Sequence, residues 1–256
     1  MALLGLLGAR VTGAGHADAV TAAADAGRAI LEARADQAIA ESMFDQATRA
    51  AGVPVAGVPV AGVPVAGVPV AGVIVAGVTV EDEAGRLNVN TSPTGLIAAL
   101  LLQLGQPADI AQTLAARISD WRTPSTLSQP FGAKLPAYRA AGLDYGPADA
   151  PFRSTGELAL VLGMTPAILS SLLPHVTIFT EGDIDRALAD VAVRGALVRF
   201  SGNVTPAGLS IPPTARVLRL TATEAGRDAR FSRVAVVRFS LAANRDDPLV
   251  TILDWR

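Results

Sequence analysis

The sequence predicts an α+β fold: a long N-terminal helix, a block of helices in the middle of the chain, and a small antiparallel sheet drawn mainly from its last third. Three observations predict it. Residues 17–50 contain no proline and place Val20, Ala24, Gly27, Leu31, Ala35 and Ala38 on one face at helical spacing. Between Leu96 and Leu172, apolar residues recur at helical spacing between breaks marked by glycine and proline. From Arg216 to Leu241, apolar and polar residues alternate in two runs separated by Glu224-Ala225-Gly226-Arg227, the pattern of an antiparallel hairpin.

The composition bounds what such a fold can do. With 256 residues, half of them hydrophobic, the chain can bury one large core or two small ones. A net charge of -2 supplies no basic field for nucleic acid or an acidic membrane surface. The absence of cysteine excludes disulfides, thiolate metal sites and cysteine nucleophiles.

At the N-terminus, Ala2 to Ala9 is an apolar run far shorter than the roughly 20 residues that span a bilayer, so it reads as a frayed helix start or as the tail of a membrane helix. In the helix that follows, Gly27 is the weak point, since an interior glycine costs about 1 kcal/mol relative to alanine. Close approach by a neighbouring helix would compensate. Arg28 and Glu32, four residues apart on an exposed flank, are expected to pair with each other. A helix over residues 1–50 would be about 75 Å long, too long for a compact domain of this size, so part of it is expected to project.

Residues 51–80 are six pentads, Ala-Gly-Val-Pro-Val four times and then Ala-Gly-Val-Ile-Val and Ala-Gly-Val-Thr-Val. Pro54, Pro59, Pro64 and Pro69 each cost about 3 kcal/mol in a helix interior, which rejects a membrane span. The odd period moves equivalent valines to opposite strand faces in successive pentads, so the repeat reads as an elastin-like insert. In the last two pentads, which lack proline, Val73-Ile74-Val75 to Val78-Thr79-Val80 can enter a sheet as a strand.

The stretch Glu81 to Pro93 joins sheet to helices. Glu81-Asp82-Glu83 reads as the solvated lip of a strand, Gly85 permits a tight turn, and Leu87 and Val89 alternate with Asn88 and Asn90 as in a half-buried strand. Thr91-Ser92-Pro93 opens a helix through Leu96 to Leu104, ended by Gly105. A second helix, Ala108 to Trp121, carries Ile110, Leu114, Ile118 and Trp121 on its inner side. A turn-rich segment over residues 122–152 contains a short helix around Leu135 to Ala141. Ser154 or Thr155 caps a helix closed by Gly163, and Thr165-Pro166 opens another ended by Pro174. Val176 to Phe179 reads as a strand, Ile184 to Val193 as a short helix or turn, and Val250 to Trp255 as the last strand.

Catalytic machinery is missing. His16 and His175 are far apart and have no carboxylates at metal-ligand spacing, and no nucleophile elbow, phosphate loop or dinucleotide fingerprint occurs. Gly163-Met164-Thr165-Pro166 between two helices is similar to a helix-hairpin-helix turn, which makes a nucleic-acid-binding protein the rival reading from another class. It lacks the Gly-x-Gly and the lysines that would grip a phosphate.

Several motifs, in order, resemble the minor pseudopilin K family of type II secretion systems. They are Asp82-Glu83-Ala84-Gly85-Arg86-Leu87-Asn88-Val89-Asn90; Ser119-Asp120-Trp121-Arg122; Gly132-Ala133 followed by Tyr138; Pro151-Phe152-Arg153-Ser154 leading to Glu157-Leu158; Leu162-Gly163-Met164-Thr165-Pro166; and Ile252-Leu253-Asp254-Trp255-Arg256. The resemblance covers residues 1–50 and 76–256. It implies a pilin-like fold with a pilin-type helix over 1–50, the repeat insert over 51–75, a β domain from 76–91 and 176–256, and an inserted α-helical domain over 92–175. Asp82, Glu83, Gly85, Arg86, Asn88, Asn90, Asp120, Trp121, Gly163 and Trp255 are then structural motif residues, and Val20, Ala24, Gly27 and Leu31 pack against partner helices.

The implied role is at the tip of the pseudopilus, starting its assembly and contributing to protein export across the outer membrane, with no enzymatic activity and no cofactor. The implied partners are other minor pseudopilins, secreted protein substrates and the inner membrane, crossed once with a periplasmic domain beyond it; nucleic acid is not among them. Family members begin with a basic leader ending in glycine and then a full membrane helix. This chain starts at Met1 within what corresponds to that helix, so a misassigned start or a truncated, degenerate relative is expected, and the sequence upstream of Met1 distinguishes them. The family's tryptophan motif usually continues into acids suited to calcium. Here Thr123 and Ser125 follow Trp121-Arg122, and Lys134 stands where the family tends to carry an acid, so the acidic motif is incomplete.

Overall fold

A computed structural model describes residues 25, 27–46, 73–75, 78–201, 215–225, 230–240 and 250–256. In chain order the elements are α1 (27–46), β1 (Val73–Val75), β2 (Val78–Asp82), β3 (Leu87–Asn88), α2 (Thr94–Gln103), α3 (Ala108–Arg122), α4 (Leu135–Ala140), α5 (Pro166–Leu172), β4 (Val176–Thr177), α6 (Val191–Ser201), β5 (Ala215–Ala225), β6 (Arg230–Ser240) and β7 (Val250–Trp255). The described residues fall into two compact units, one holding α1, the strands up to Glu81 and Leu218–Arg256, the other Asp82–Val217. The second takes in β3, β4 and α6 as well as the central helices.

In the first unit, a five-stranded sheet runs in the order β1-β2-β5-β6-β7. β1 and β2 are antiparallel with Ile74 opposite Thr79, so the end of the repeat forms two strands and not one. β6 and β7 are antiparallel with Phe239 opposite Val250 and a register shift between Val236 and Val237. Leu31, Ala35, Ile39 and Ser42 are buried at spacings of four and three along α1. Ala35 and Ile39 share a core with Val78, Val80, Leu218, Leu220, Ala222, Ala235, Val237 and Phe239. Glu32 does not reserve its carboxylate for Arg28. Arg233 on β6 donates to Glu32 Oε1 at 2.5 Å and Asp36 Oδ1 at 2.6 Å, because acids four apart on a helix stack one above the other and suit a forked guanidinium. Those bonds, led by the one to Asp36, raise the Arg233 pKa.

The second unit is built on helices, and Leu100, Leu101, Leu114, Ile118, Tyr138, Leu158 and Leu172 lie in its core with little or no exposure. On α3 the inner stripe passes through Ala111, and Ile110 is 39% exposed, a correction to the expected inner face. The helix expected after Ser154 is a 3-10 turn over Thr155–Leu160. Thr165 caps α5 as expected, its hydroxyl accepting from Ile168 N at 3.3 Å. The largest departure is α6, an eleven-residue helix where the sequence reading placed only a short helix or turn ending at Val193. Asp190 starts it, its Oδ1 accepting from Ala192 N and Val193 N at 2.8 and 2.9 Å.

Candidate functional site

The junction after β2 folds as a chain of side-chain locks. Asp82 Oδ1 accepts from Ala84 N at 2.9 Å, capping a 3-10 turn over Glu83–Gly85, while its Oδ2 accepts from Arg216 Nε and Nη2 at 3.0 and 2.7 Å. Glu83 has no exposure and lies 3.5 Å from Arg86 Nε, whose Nη1 donates to the Pro174 carbonyl. The expected solvated lip is therefore wrong for Asp82 and Glu83. Both are buried, each beside an arginine, because a buried carboxylate keeps its charge only with a partner.

Gly85 is required here by space. A Cβ on it would stand 2.4 Å from the Leu188 carbonyl oxygen, where the 185–189 turn crosses and Asp185 N donates to Ala84 O at 2.9 Å.

β3 and β4 form a parallel pair, Leu87 opposite Val176 and Asn88 opposite Thr177. Leu87, Asn88 and Val89 are all buried, so the half-buried alternation gives way to a strand enclosed on both faces. The Asn88 amide meets that cost by donating to Thr180 O at 2.6 Å and accepting from Asn90 N at 2.8 Å. Asn90 goes further: its Nδ2 donates to Phe152 O at 2.9 Å and its Oδ1 accepts from Phe152 N at 2.8 Å. A side-chain amide here pairs with a peptide group as another strand would.

Phe152 is held in this way against Trp121, their rings stacked at 5.8 Å and 11°, and Trp121 meets Tyr138 at 6.3 Å. The Tyr138 hydroxyl accepts from Leu162 N at 3.0 Å, and burial raises its pKa. Arg122, whose pKa burial lowers, donates from Nη1 to Val89 O and from Nη2 to Ser92 O at 2.6 Å. Residues from five of the six sequence motifs thus meet in one core. Trp255, from the sixth, lies in the first unit, with the Arg233 guanidinium 5.9 Å over its ring.

The turn similar to a helix-hairpin-helix is engaged internally. Gly163 has φ +86°, the Leu162 carbonyl accepts from Arg117 Nη1 at 2.8 Å, and Leu162 N is taken by Tyr138, so the turn does not present these groups to a phosphate. Of the residues expected to pack on partner helices, Val20 and Ala24 lie outside the described residues. Leu31 is buried, and Gly27 is exposed with nothing within 4 Å of where a Cβ would stand.

Sequence reasoning missed Lys134 as a site residue, because it took the residue only as a lost acid. Its Nζ donates to Asp120 O at 2.6 Å, Thr123 O at 2.7 Å and Asp149 Oδ1 at 2.5 Å, and the residue is 5% exposed. Calcium takes six to eight oxygens, roughly, at one point. Among the described residues no group of three or more His, Asp or Glu side chains could hold a metal. An ammonium already sits among the oxygens near Asp120, so calcium does not fit the residues present there.

Comparison with known proteins follows this geometry closely. Residues 78–181 match the family model for type II secretion system protein K, the segment that contains β2 to β4 and the whole Trp121–Phe152–Tyr138 core. In the crystal structure of the GspK–GspI–GspJ complex from the enterotoxigenic Escherichia coli type 2 secretion system, a chain with 16% identity aligns over 70% of this chain and 78% of its own length, with a TM-score of 0.52. No curated protein matches the chain significantly. The α+β, pilin-like architecture expected from the motifs is therefore the one this chain has. Over residues 78–181, where the motifs and their packing coincide, the chain is similar to protein K of type II secretion systems, the minor pseudopilin family that its motifs resemble.

Proposed function

We propose that this protein is a minor pseudopilin at the tip of a type II secretion pseudopilus, where it starts assembly together with other minor pseudopilins and contributes to protein export across the outer membrane. It acts by shape and contact and not by catalysis. The observation that carries the reading is the match over residues 78–181, in which the motif side chains of Asn90, Arg122 and Tyr138 hold main-chain groups and those of Trp121 and Phe152 stack. The similar structure was solved as a complex with GspI and GspJ, which supports homologues of those two proteins as partners here.

The exposed end of α1 at Gly27 is suited to a partner helix, since glycine lets two backbones approach. A single membrane pass with a periplasmic domain fits a component of a secretion machine. No helix of the described residues is long and apolar enough to cross a membrane, and in this reading the anchor is an N-terminal helix completed by sequence upstream of Met1 if the start is misassigned.

Coexpression with the GspI and GspJ homologues of the same genome tests the proposal. Coelution of all three from a size-exclusion column is expected. Separate elution of this chain from both partners would sink it.

A further inference from the structure

The oxygens around Lys134 have the form of a cation site. Two are main-chain carbonyls, Asp120 O and Thr123 O, at the C-terminal end of α3, where helix carbonyls lack intrahelical partners and the helix dipole is negative. The third is a carboxylate oxygen of Asp149, which belongs to the turn-rich segment after α4 and adopts φ 51°. The side chain of Asp120 makes no ion pair with Lys134: its Oδ2 is buried without a hydrogen-bond partner, and a Cβ at position 132 would come within 2.0 Å of it, so Gly132 keeps its space open. The other oxygen of that carboxylate accepts from Gln129 Nε2 at 3.1 Å.

An ammonium has three N–H donors, and here each meets one oxygen at 2.5–2.7 Å. Nothing of its hydrogen-bonding capacity is left over. The charge also offsets Asp149 directly and lies against the residue that carries the orphaned carboxylate oxygen.

We propose that Lys134 is the resident cation of this cluster: its tethered ammonium ties the end of α3 to the Asp149 turn, as a bound divalent ion would, and makes this part of the fold independent of metal. A tethered cation does not dissociate, so the turn-rich segment 123–152 holds its conformation whatever the calcium concentration. This does not rest on the proposed role at the pseudopilus tip.

Thermal unfolding of the full chain, followed by circular dichroism in excess EGTA and in millimolar CaCl2, tests it without any substitution. The wild-type melting temperature is expected to be the same in both, and calorimetric titration with CaCl2 to give no binding heat. A rise in melting temperature with calcium would overturn the proposal. Lys134→Met, which keeps the stem and removes the charge, should melt several degrees lower, since it leaves Asp149 and two carbonyls without their cation; melting unchanged from wild type would also overturn it. Lys134→Glu adds a carboxylate to oxygens already in place, so its melting should become calcium-dependent. A Lys134→Glu protein as indifferent to calcium as the wild type would show that these oxygens do not form a cation site.

Discussion

Asn90 shows how much one amide can hold. It meets both the N–H and the carbonyl of Phe152, and Phe152 in turn stacks on Trp121. Asn90→Ala leaves two peptide groups without partners, at about 1–3 kcal/mol for each buried group. Chemical denaturation should show a loss in that range or up to twice it, and a loss below 0.5 kcal/mol, about the scatter of surface substitutions, would mean that water replaces the amide without cost. Gly85→Ala meets backbone and not a movable side chain, with the new Cβ 2.4 Å from Leu188 O. We expect it to destabilise by about 1–3 kcal/mol or more, and a soluble variant with an unshifted denaturation midpoint would contradict the close crossing. The sequence exposed the Asn88 and Asn90 alternation but not its meaning. Side-chain amides on a predicted strand look solvent-facing until the peptide groups they satisfy are known, and here those lie about ninety and sixty residues away in sequence.

At the scale of elements, α6 depends on its cap. Asp190 Oδ1 accepts from two main-chain N–H groups and its Oδ2 lies 2.6 Å from His175 Nδ1. Burial acts to raise the Asp190 pKa, but the bonds from Val193, His175 and Ala192 and the His175 charge outweigh it and hold the carboxyl below the usual carboxylate range. Because the folded pKa lies below the unfolded one, the cap's contribution is full above the unfolded value of about 4 and fades as pH falls through the folded value. Asp190→Ala should cost about 1 kcal/mol near neutral pH, and the gap between wild type and variant should narrow as pH falls below about 4. Urea denaturation at several pH values measures both, and a gap independent of pH would remove the charge from the explanation. The cap was legible in outline, since Asp190 precedes an apolar-periodic run. The helix was missed because Gly195 interrupts that run, while its packing on α2 supplies what propensity does not.

At the scale of the whole molecule, the segment that matches the protein K family model and the interior of the helical unit coincide, and the proposal of a structural subunit rests there. Trp121→Ala would remove the ring on which Phe152 and Tyr138 pack, and a loss of about 3–5 kcal/mol is expected. If assembly depends on that unit being intact, the variant should also fail to coelute with GspI and GspJ homologues. A variant that unfolds more readily yet still joins the complex would place the partner surface in the other unit.

The sequence by itself determined the kind of element along most of the chain, and the motifs that carry the resemblance to protein K of type II secretion systems. Helical periodicity, strand alternation and glycine or proline breaks are local, so α2, α3, α4, α5, β5, β6 and β7 could be read from neighbours in the chain. Only the tertiary structure decided what the charged residues do. Asp82 meets Arg216, Glu32 and Asp36 meet Arg233, and Lys134 gathers oxygens from Asp120, Thr123 and Asp149. Charges look solvated when their partners are distant in sequence, and burial, which forces them to pair, exists only once the chain has folded.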